Sequence, residues 1–406
     1  MCLTAGGSSI TVSSRVCPAL KAGHTKTKIT SLPRRLLCEE HTYLHSAGAD
    51  KLMKDKSTVN KIQGCLLGGA VGDALGYAVE FLQEETIFEK YGPNGITEYD
   101  TGVFEKALIS DDTQMSLFTA AGLLLAQDRM VPFEKSDAFV QCISDAYSDW
   151  LMTQTEEYVS NKDGINTWLA TIPEMYNWRS PGGSCLSGAA AGRRGVPGRI
   201  ESPLNFSKGC GGVMRVAPIG LFFDSAKVSL ADIDMLGARA AVLTHGHPLG
   251  YIPASAMVHI VHCVTNEGME LCDAVESALV LIPYLFPKSQ YMEEFLSIMR
   301  KAIQLVTYEI DDLDAIHELG AGRCGEDNLA IAVYCALKHS DDFESAIVAA
   351  VNHSGDSDST GAVTGNIMGA YLGMDAIPEK YLEKLELRDV IIQIADELSL
   401  GYSLDL

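Results

Sequence analysis

At 406 residues the chain is long enough to bury a large core, as one big domain or as two. Its formal net charge of −22 excludes non-specific binding to nucleic acid or to an anionic membrane, and suits a protein that gathers divalent cations. Eleven cysteines, scattered and without a C-x-x-C pair, make neither a disulfide framework nor a zinc cluster, so a reducing compartment such as the cytoplasm is expected.

Residues 1–56 differ from the rest, with nine Lys/Arg against four Asp/Glu and no acid before Glu39. That pattern resembles an organellar transit peptide. The competing reading starts the protein at Met53, because Met53-Lys-Asp-Lys-Ser-Thr-Val-Asn60 leads straight into a helix. On either reading the segment is expected to be poorly ordered and apart from any site, leaving one domain over residues 57–406.

From residue 61 alanine- and leucine-rich helical periodicity dominates, strand signals are sparse, and no run has membrane length. The fold is therefore expected to be all-α. The first helix is predicted over about 61–81, with Gly64, Gly68, Gly72 and Gly76 recurring every fourth residue and Glu80 near its end. At that spacing the glycines share one stripe, along which another backbone can come very close. Each costs about 1 kcal/mol relative to alanine inside a helix, so four of them require a packing reason.

Ser110-Asp111-Asp112 reads as a helix start, a capping hydroxyl followed by acids at the positive end of the helix dipole. Helices are predicted to about residue 127 and over about 133–158. Arg179–Ser187 is a loop feeding a short helix, and Gly182 and Gly183 stand in it. Lys208-Gly-Cys-Gly-Gly-Val-Met-Arg215 is dense in glycine, and its free N–H groups suit a diphosphate. Its glycine order matches neither a dinucleotide fingerprint nor a Walker P-loop. Thr244-His-Gly-His247 closes a helix of about 230–243; neither histidine belongs to an H-E-x-x-H pattern, so zinc is not expected. His247 is either a ligand contact or a capping residue.

Residues 270–340 read as helical with a loop at 320–325. Then Val351-Asn-His-Ser-Gly-Asp-Ser-Asp-Ser-Thr-Gly361 ends one apolar helix and begins another. Asp356, Asp358 and Ser359 stand in or beside the turn, and Gly361, Gly365, Gly369 and Gly373 form a second four-residue ladder. The two laddered helices are expected to pack together and to gather the nearby acids.

Gly72-Asp-x-x-Gly-x-x-x-Glu80, Ser110-Asp-Asp-Thr113, Gly211-Gly-Val-Met-Arg215, Thr244-His-x-His247 and Gly355-Asp-Ser-Asp-Ser359, in this order, resemble the ADP-ribosylglycohydrolase family over about residues 61–375. The family includes hydrolases of ADP-ribosylated dinitrogen reductase and a crystallin. The resemblance implies a single orthogonal helical bundle around a dinuclear magnesium site, manganese being the alternative. It implies cleavage of the glycosidic bond that joins ADP-ribose to a protein side chain or a small molecule. Ser110, Asp111 and Asp112 correspond to one set of metal ligands, and Asp356, Asp358 and Ser359 to the other. Glu80 takes the catalytic position. Gly182, Gly183, Gly209, Gly211 and Gly212 fall where the family holds its substrate, and His247 or His245 falls near the same ligand.

Oxygen ligands without clustered Cys or His agree with a hard cation such as Mg²⁺ or Mn²⁺. Two departures bear on substrate. The dinitrogen-reductase branch carries an aspartate where this chain reads Ser180-Pro181-Gly182, which puts arginine-linked substrates in doubt. The family's usual Asn-Gly before Met-Arg is replaced here by Lys208-Gly-Cys-Gly. A monomer is expected. The competing reading is a non-catalytic ADP-ribose-binding or crystallin-like protein.

Overall fold

Asp55 opens the first helix by accepting a 2.8 Å hydrogen bond from the Thr58 amide. The computed structural model describes residues 54–402 apart from 133, 161 and 162. Met53 and the segment before it lie outside the described residues. Sixteen α-helices follow in chain order among them. They are α1 (Lys56–Tyr77), α2 (Glu84–Tyr91), α3 (Asp111–Asp128), α4 (Ser136–Thr155), α5 (Gly183–Arg193) and α6 (Ala217–Phe222), then α7 (Leu230–Val242), α8 (Pro248–Asn266), α9 (Leu271–Leu285) and α10 (Met292–Leu305). The last six are α11 (Asp312–Leu319), α12 (Gly325–Lys338), α13 (Phe343–Val351), α14 (Ser357–Leu372), α15 (Glu379–Leu382) and α16 (Arg388–Leu400). Among the described residues β-pairing is limited to isolated bridges, one of which joins Gly209 to Cys324. The fold is all-α, as expected.

The centre of the bundle is the pair α1 and α14, which run antiparallel with their glycine stripes face to face. A Cβ on Gly64 would lie 2.4 Å from the Gly369 carbonyl oxygen, and one on Gly68 2.4 Å from that of Gly365. One on Gly72 would lie 2.0 Å from the Gly361 oxygen, and one on Gly76 2.2 Å from the Ser357 oxygen. No real Cβ sits that close to backbone, so the ladder is a steric requirement of this contact. Gly373 stands outside the stripe. It caps the end of α14 at φ +86° and faces the Asn60 side chain.

α1, α3, α8, α12 and α14 are buried nearly all round, as helices wrapped by other helices must be. α10 is an outer helix, with Phe295, Leu296, Met299, Ala302 and Leu305 on its inward stripe. The first helix differs from its predicted bounds at both ends. It starts at Lys56, because the Asp55 cap precedes the apolar pattern, and it stops at Tyr77. Beyond it the Phe81 amide donates to the Gly355 carbonyl (2.9 Å) and draws the chain towards the head of α14. Glu80 therefore lies in a turn, with Phe81 in the left-handed region at φ +57°.

Candidate active site

Antiparallel packing puts the carboxyl end of α1 beside the amino end of α14. Glu80, Asp356 and Asp358 meet there, each offering a carboxylate oxygen within 4.8 Å of the others. Asp356 caps α14 from a turn fixed by its own amide, which donates to the Ala321 carbonyl (2.9 Å). Asp358 lies in the first turn of α14 and is buried.

A second acidic group, Asp111 and Asp112, comes from α3. Ser110 caps that helix by accepting from the Asp112 amide at 3.2 Å. Asp73 of α1 holds the cap in place: its carboxylate accepts from the Ser110 amide at 3.0 Å, from the Thr113 amide at 3.1 Å and from the Thr113 hydroxyl. Asp73 is thus a buried strut between two helices. Asp111 Oδ2 accepts from the Gly182 amide at 3.3 Å, which ties α3 to the start of α5. Asp112 is buried, and its Oδ2 has no hydrogen-bond partner.

Burial raises every one of these carboxyls, and repulsion from neighbouring acids adds to it for Glu80, Asp111, Asp112 and Asp358. Glu80 is pushed up to about 7 by burial and then by Asp356 and Asp73. Asp358 is raised well above the usual range by burial and by Asp112, Asp356, Glu80 and Asp73. Asp111 and Asp112 are raised the same way. Asp356 is raised by burial, against hydrogen bonds from Ser359 and Cys210 and the nearby Arg323 charge. Two helix amino ends offset part of this charge. The electrostatic demand is for cations.

The chemistry of the donor set fits a hard divalent ion. Asp111, Asp112, Asp356, Asp358 and Glu80 offer carboxylate oxygens, Ser110 and Ser359 offer hydroxyls, and Asp112 Oδ2 has an unmade bond.

The glycine-dense loop forms one wall. The Cys210 amide donates to the Arg323 carbonyl at 3.1 Å and the Gly325 amide to the Lys208 carbonyl at 2.8 Å. A Cβ on Gly211 would strike the His245 ring at 2.6 Å and Cys185 at 2.8 Å, and one on Gly209 would approach His245 Nε2 at 3.3 Å. Gly212 answers a different need, since the Gly250 carbonyl lies 2.5 Å from where its Cβ would be. Gly182 and Gly183 are exposed at the head of α5, and nothing crowds Gly183.

The histidine against this loop is His245. Burial, and then the Arg215 charge, lower it to about 3, so its ring is neutral. His247 is the cap of α8, accepting from the Leu249 amide at 3.0 Å, with its ring between Phe206 and Tyr291.

Sequence reasoning left Arg215 and Thr244 without a role. Arg215 is fully buried; it donates to the Thr244 hydroxyl at 2.6 Å and lies over the Tyr147 ring at 4.6 Å. Thr244 in turn shares a 2.7 Å hydrogen bond with His245 Nδ1. An arginine inside the apolar run Val213–Leu221 was the available signal, because a buried guanidinium must find partners.

The all-α bundle thus closes on a buried set of carboxylates, next to a loop of bare backbone. A model of the ADP-ribosylglycohydrolase family matches residues 54–405, and the chain belongs to that family. Its class is therefore hydrolysis of glycosidic bonds. Over 349 residues the chain is 27% identical to the ADP-ribosyl-dinitrogen reductase glycohydrolase of Rhodospirillum rubrum, covering 83% of this chain and 94% of that one. It is 24% identical over 369 residues to mouse (Mus musculus) ADP-ribosylhydrolase ARH3, with 83% and 91% covered. With the ADP-ribosylarginine hydrolase Tri1 of Pseudomonas putida it shares 22% identity over 355 residues, with 84% and 79% covered. Among solved structures, an "ADP-ribosylglycohydrolase-related protein complex" has the same fold, with a TM-score of 0.55 at 23% identity over 86% of this chain and 99% of that one. Among the described residues no helix is long and apolar enough to cross a membrane.

Proposed function

We propose that this protein frees ADP-ribose from a modified side chain or a small conjugate by hydrolysing the glycosidic bond at the anomeric carbon, with two divalent cations held by Ser110, Asp111, Asp112, Asp356, Asp358 and Ser359. The observation that carries the reading is the convergence of Glu80, Asp356 and Asp358 within 4.8 Å, in a family whose named relatives remove ADP-ribose. Magnesium, or manganese, bound at these oxygens would supply the positive charge that lets the acids ionise together, hold the ribose hydroxyls and polarise a water.

Glu80 has the place and the acidity for proton transfer. It stands in a turn at the rim of the cluster, half-buried, with its carboxyl near 7. From there it can give its proton to the departing atom or take one from the attacking water as the sugar gains oxocarbenium character. Gly209 and Gly211 present backbone without side chains beside the neutral ring of His245, a wall a diphosphate can approach. Gly183, uncrowded at the head of an eleven-residue helix, suits the same anion or the distal ribose.

The segment Ser180-Pro181-Gly182 carries no acid, and the Ser180 hydroxyl is 3.1 Å from the Tyr77 hydroxyl. A guanidinium leaving group would find no carboxylate on this segment, which favours linkages other than arginine. The experiment is release of free ADP-ribose from arginine-linked and serine-linked peptides, with Mg²⁺ and with chelator, using Asp356→Ala as the blank. Metal-dependent release from the serine-linked peptide is expected. Binding of ADP-ribose without release from either peptide would replace this reading with a non-catalytic one.

A further inference from the structure

Cys210 stands in the glycine-dense loop, and the structure puts its sulfur against the acidic cluster. Its Sγ donates to Asp356 Oδ2 at 3.3 Å, and the Ser359 hydroxyl lies 3.5 Å from the same sulfur. The Met214 thioether is 4.0 Å from that hydroxyl, so two sulfurs border the Asp356 and Ser359 side. Backbone bonds fix the position of Cys210. Its amide donates to the Arg323 carbonyl, and its carbonyl accepts from the amides of Val213 at 2.8 Å and Met214 at 3.1 Å.

A second observation points to a ligand at the same place. Asp112 comes to this side from α3, close enough for its charge to act on Cys210. Asp112 is only 3% exposed, yet its Oδ2 makes no hydrogen bond. A buried carboxylate oxygen with nothing to accept from, beside a thiol that points at a second carboxylate, is an unmet demand that a cation bonded to both kinds of atom would satisfy.

We propose that Cys210 adds a sulfur donor to the Asp356 and Ser359 half of the site, so that this half takes a thiophilic divalent ion such as Co²⁺ or Cd²⁺ through a metal–thiolate bond. This rests on the reading that the cluster holds divalent cations. On binding, the thiol proton leaves to solvent and the sulfur lone pair goes to the ion; no electron is transferred. Mg²⁺ avoids sulfur, so with Mg²⁺ the thiol keeps its proton and remains a hydrogen-bond donor to Asp356. The same side chain therefore supports a hard ion as a donor and captures a soft one as a ligand.

The test is Co²⁺ titration of the full chain, read by thiolate-to-cobalt charge-transfer absorption in the near ultraviolet, with Mg²⁺ affinity measured separately by calorimetry. The wild-type protein is expected to show the band, and Mg²⁺ to suppress it in competition. Cys210→Ser should lose the band and at least tenfold in Cd²⁺ affinity, while its Mg²⁺ affinity stays within about threefold of wild type. Cys324→Ser, a change at another half-buried thiol, should keep the band. Co²⁺ that competes with Mg²⁺ but gives no band, or a band that survives in Cys210→Ser, overturns the inference. Failure of both Mg²⁺ and Co²⁺ to bind removes the metal centre itself, and this inference with it.

Discussion

Gly72 and Gly361 meet backbone to backbone: a Cβ on Gly72 would lie 2.0 Å from the Gly361 oxygen, and a Cβ on Gly361 2.4 Å from the Gly72 oxygen. The clash is with carbonyls inside two helices, which cannot rotate aside as a side chain would. Alanine improves helix propensity by about 1 kcal/mol, but overpacking costs about 1–3 kcal/mol when only side chains must move, and more when backbone must. Gly72→Ala or Gly365→Ala should therefore lose about 2 kcal/mol or more in urea unfolding. Because α14 carries Asp356 and Asp358 at its head, both variants should also lose catalytic rate in the fraction that remains folded. A stability equal to wild type would show that the helices can part without cost.

The glycine ladders were legible in the sequence because a four-residue recurrence has one geometric meaning, and so was the meeting of α1 with α14. Asp356 and Asp358 could be placed because they stand beside the second ladder, and Asp111 and Asp112 because they follow the Ser110 cap. Other features were not. Glu80 falls in a turn because the Phe81 amide reaches the Gly355 carbonyl, a contact between segments some 270 residues apart. His245 rather than His247 lies along the glycine loop, and two histidines at i, i+2 give no local reason to choose between them. Nothing local in the sequence sets Cys210 against Asp356; the contact joins segments 146 residues apart and belongs to tertiary structure.

Asp358→Asn should abolish turnover, by at least about a hundredfold, without unfolding the protein. The substitution keeps the volume and removes one member of a mutually repelling set, so melting in chelator should not fall. Added Mg²⁺ should then raise the melting temperature less than in wild type. Activity near wild type would take Asp358 out of the metal centre.

Glu80→Gln separates binding from chemistry. The amide cannot exchange a proton in the working range, while the remaining carboxylates are untouched. Affinity for ADP-ribose should stay within a few-fold, and kcat should fall by about 10²–10⁴. The wild-type rate should also titrate, and that dependence should vanish in the variant. An unchanged kcat would remove Glu80 from proton transfer.

The acidic cluster makes the effect of metal depend on pH. Its carboxyls have folded pKa values raised above their unfolded ones, with Glu80 at about 7 and Asp73 at about 6. Such groups contribute stability below their unfolded pKa and lose it as pH rises through the folded value. Metal-free protein should therefore lose this contribution between about pH 4 and 7. Bound cations reverse the preference by favouring the ionised form. The difference in melting temperature between Mg²⁺ and chelator should grow from pH 5.5 to 8; a constant difference would mean that Mg²⁺ does not act through these acids.

His353 titrates in the opposite sense. Burial lowers it to about 4, and its Nε2 is 2.9 Å from the Thr360 hydroxyl, which donates onward to the Ala350 carbonyl at 2.7 Å. The neutral ring thus donates from Nε2, while Nδ1 faces the position a Gly355 Cβ would take, 2.7 Å away. A second proton would have to enter at Nδ1, on the buried side next to Gly355. The unfolded chain accepts it near 6.5, so stability is intact above that pH and falls as pH drops towards 4, by about 3 kcal/mol at about 1.4 kcal/mol per pH unit. His353→Gln keeps an amide donor and removes the titration. It should start less stable at pH 7.5 and then lose about 3 kcal/mol less than wild type on going to pH 4 in urea unfolding. Parallel losses in the two proteins would place acid sensitivity elsewhere, with buried His245 as the next residue to replace.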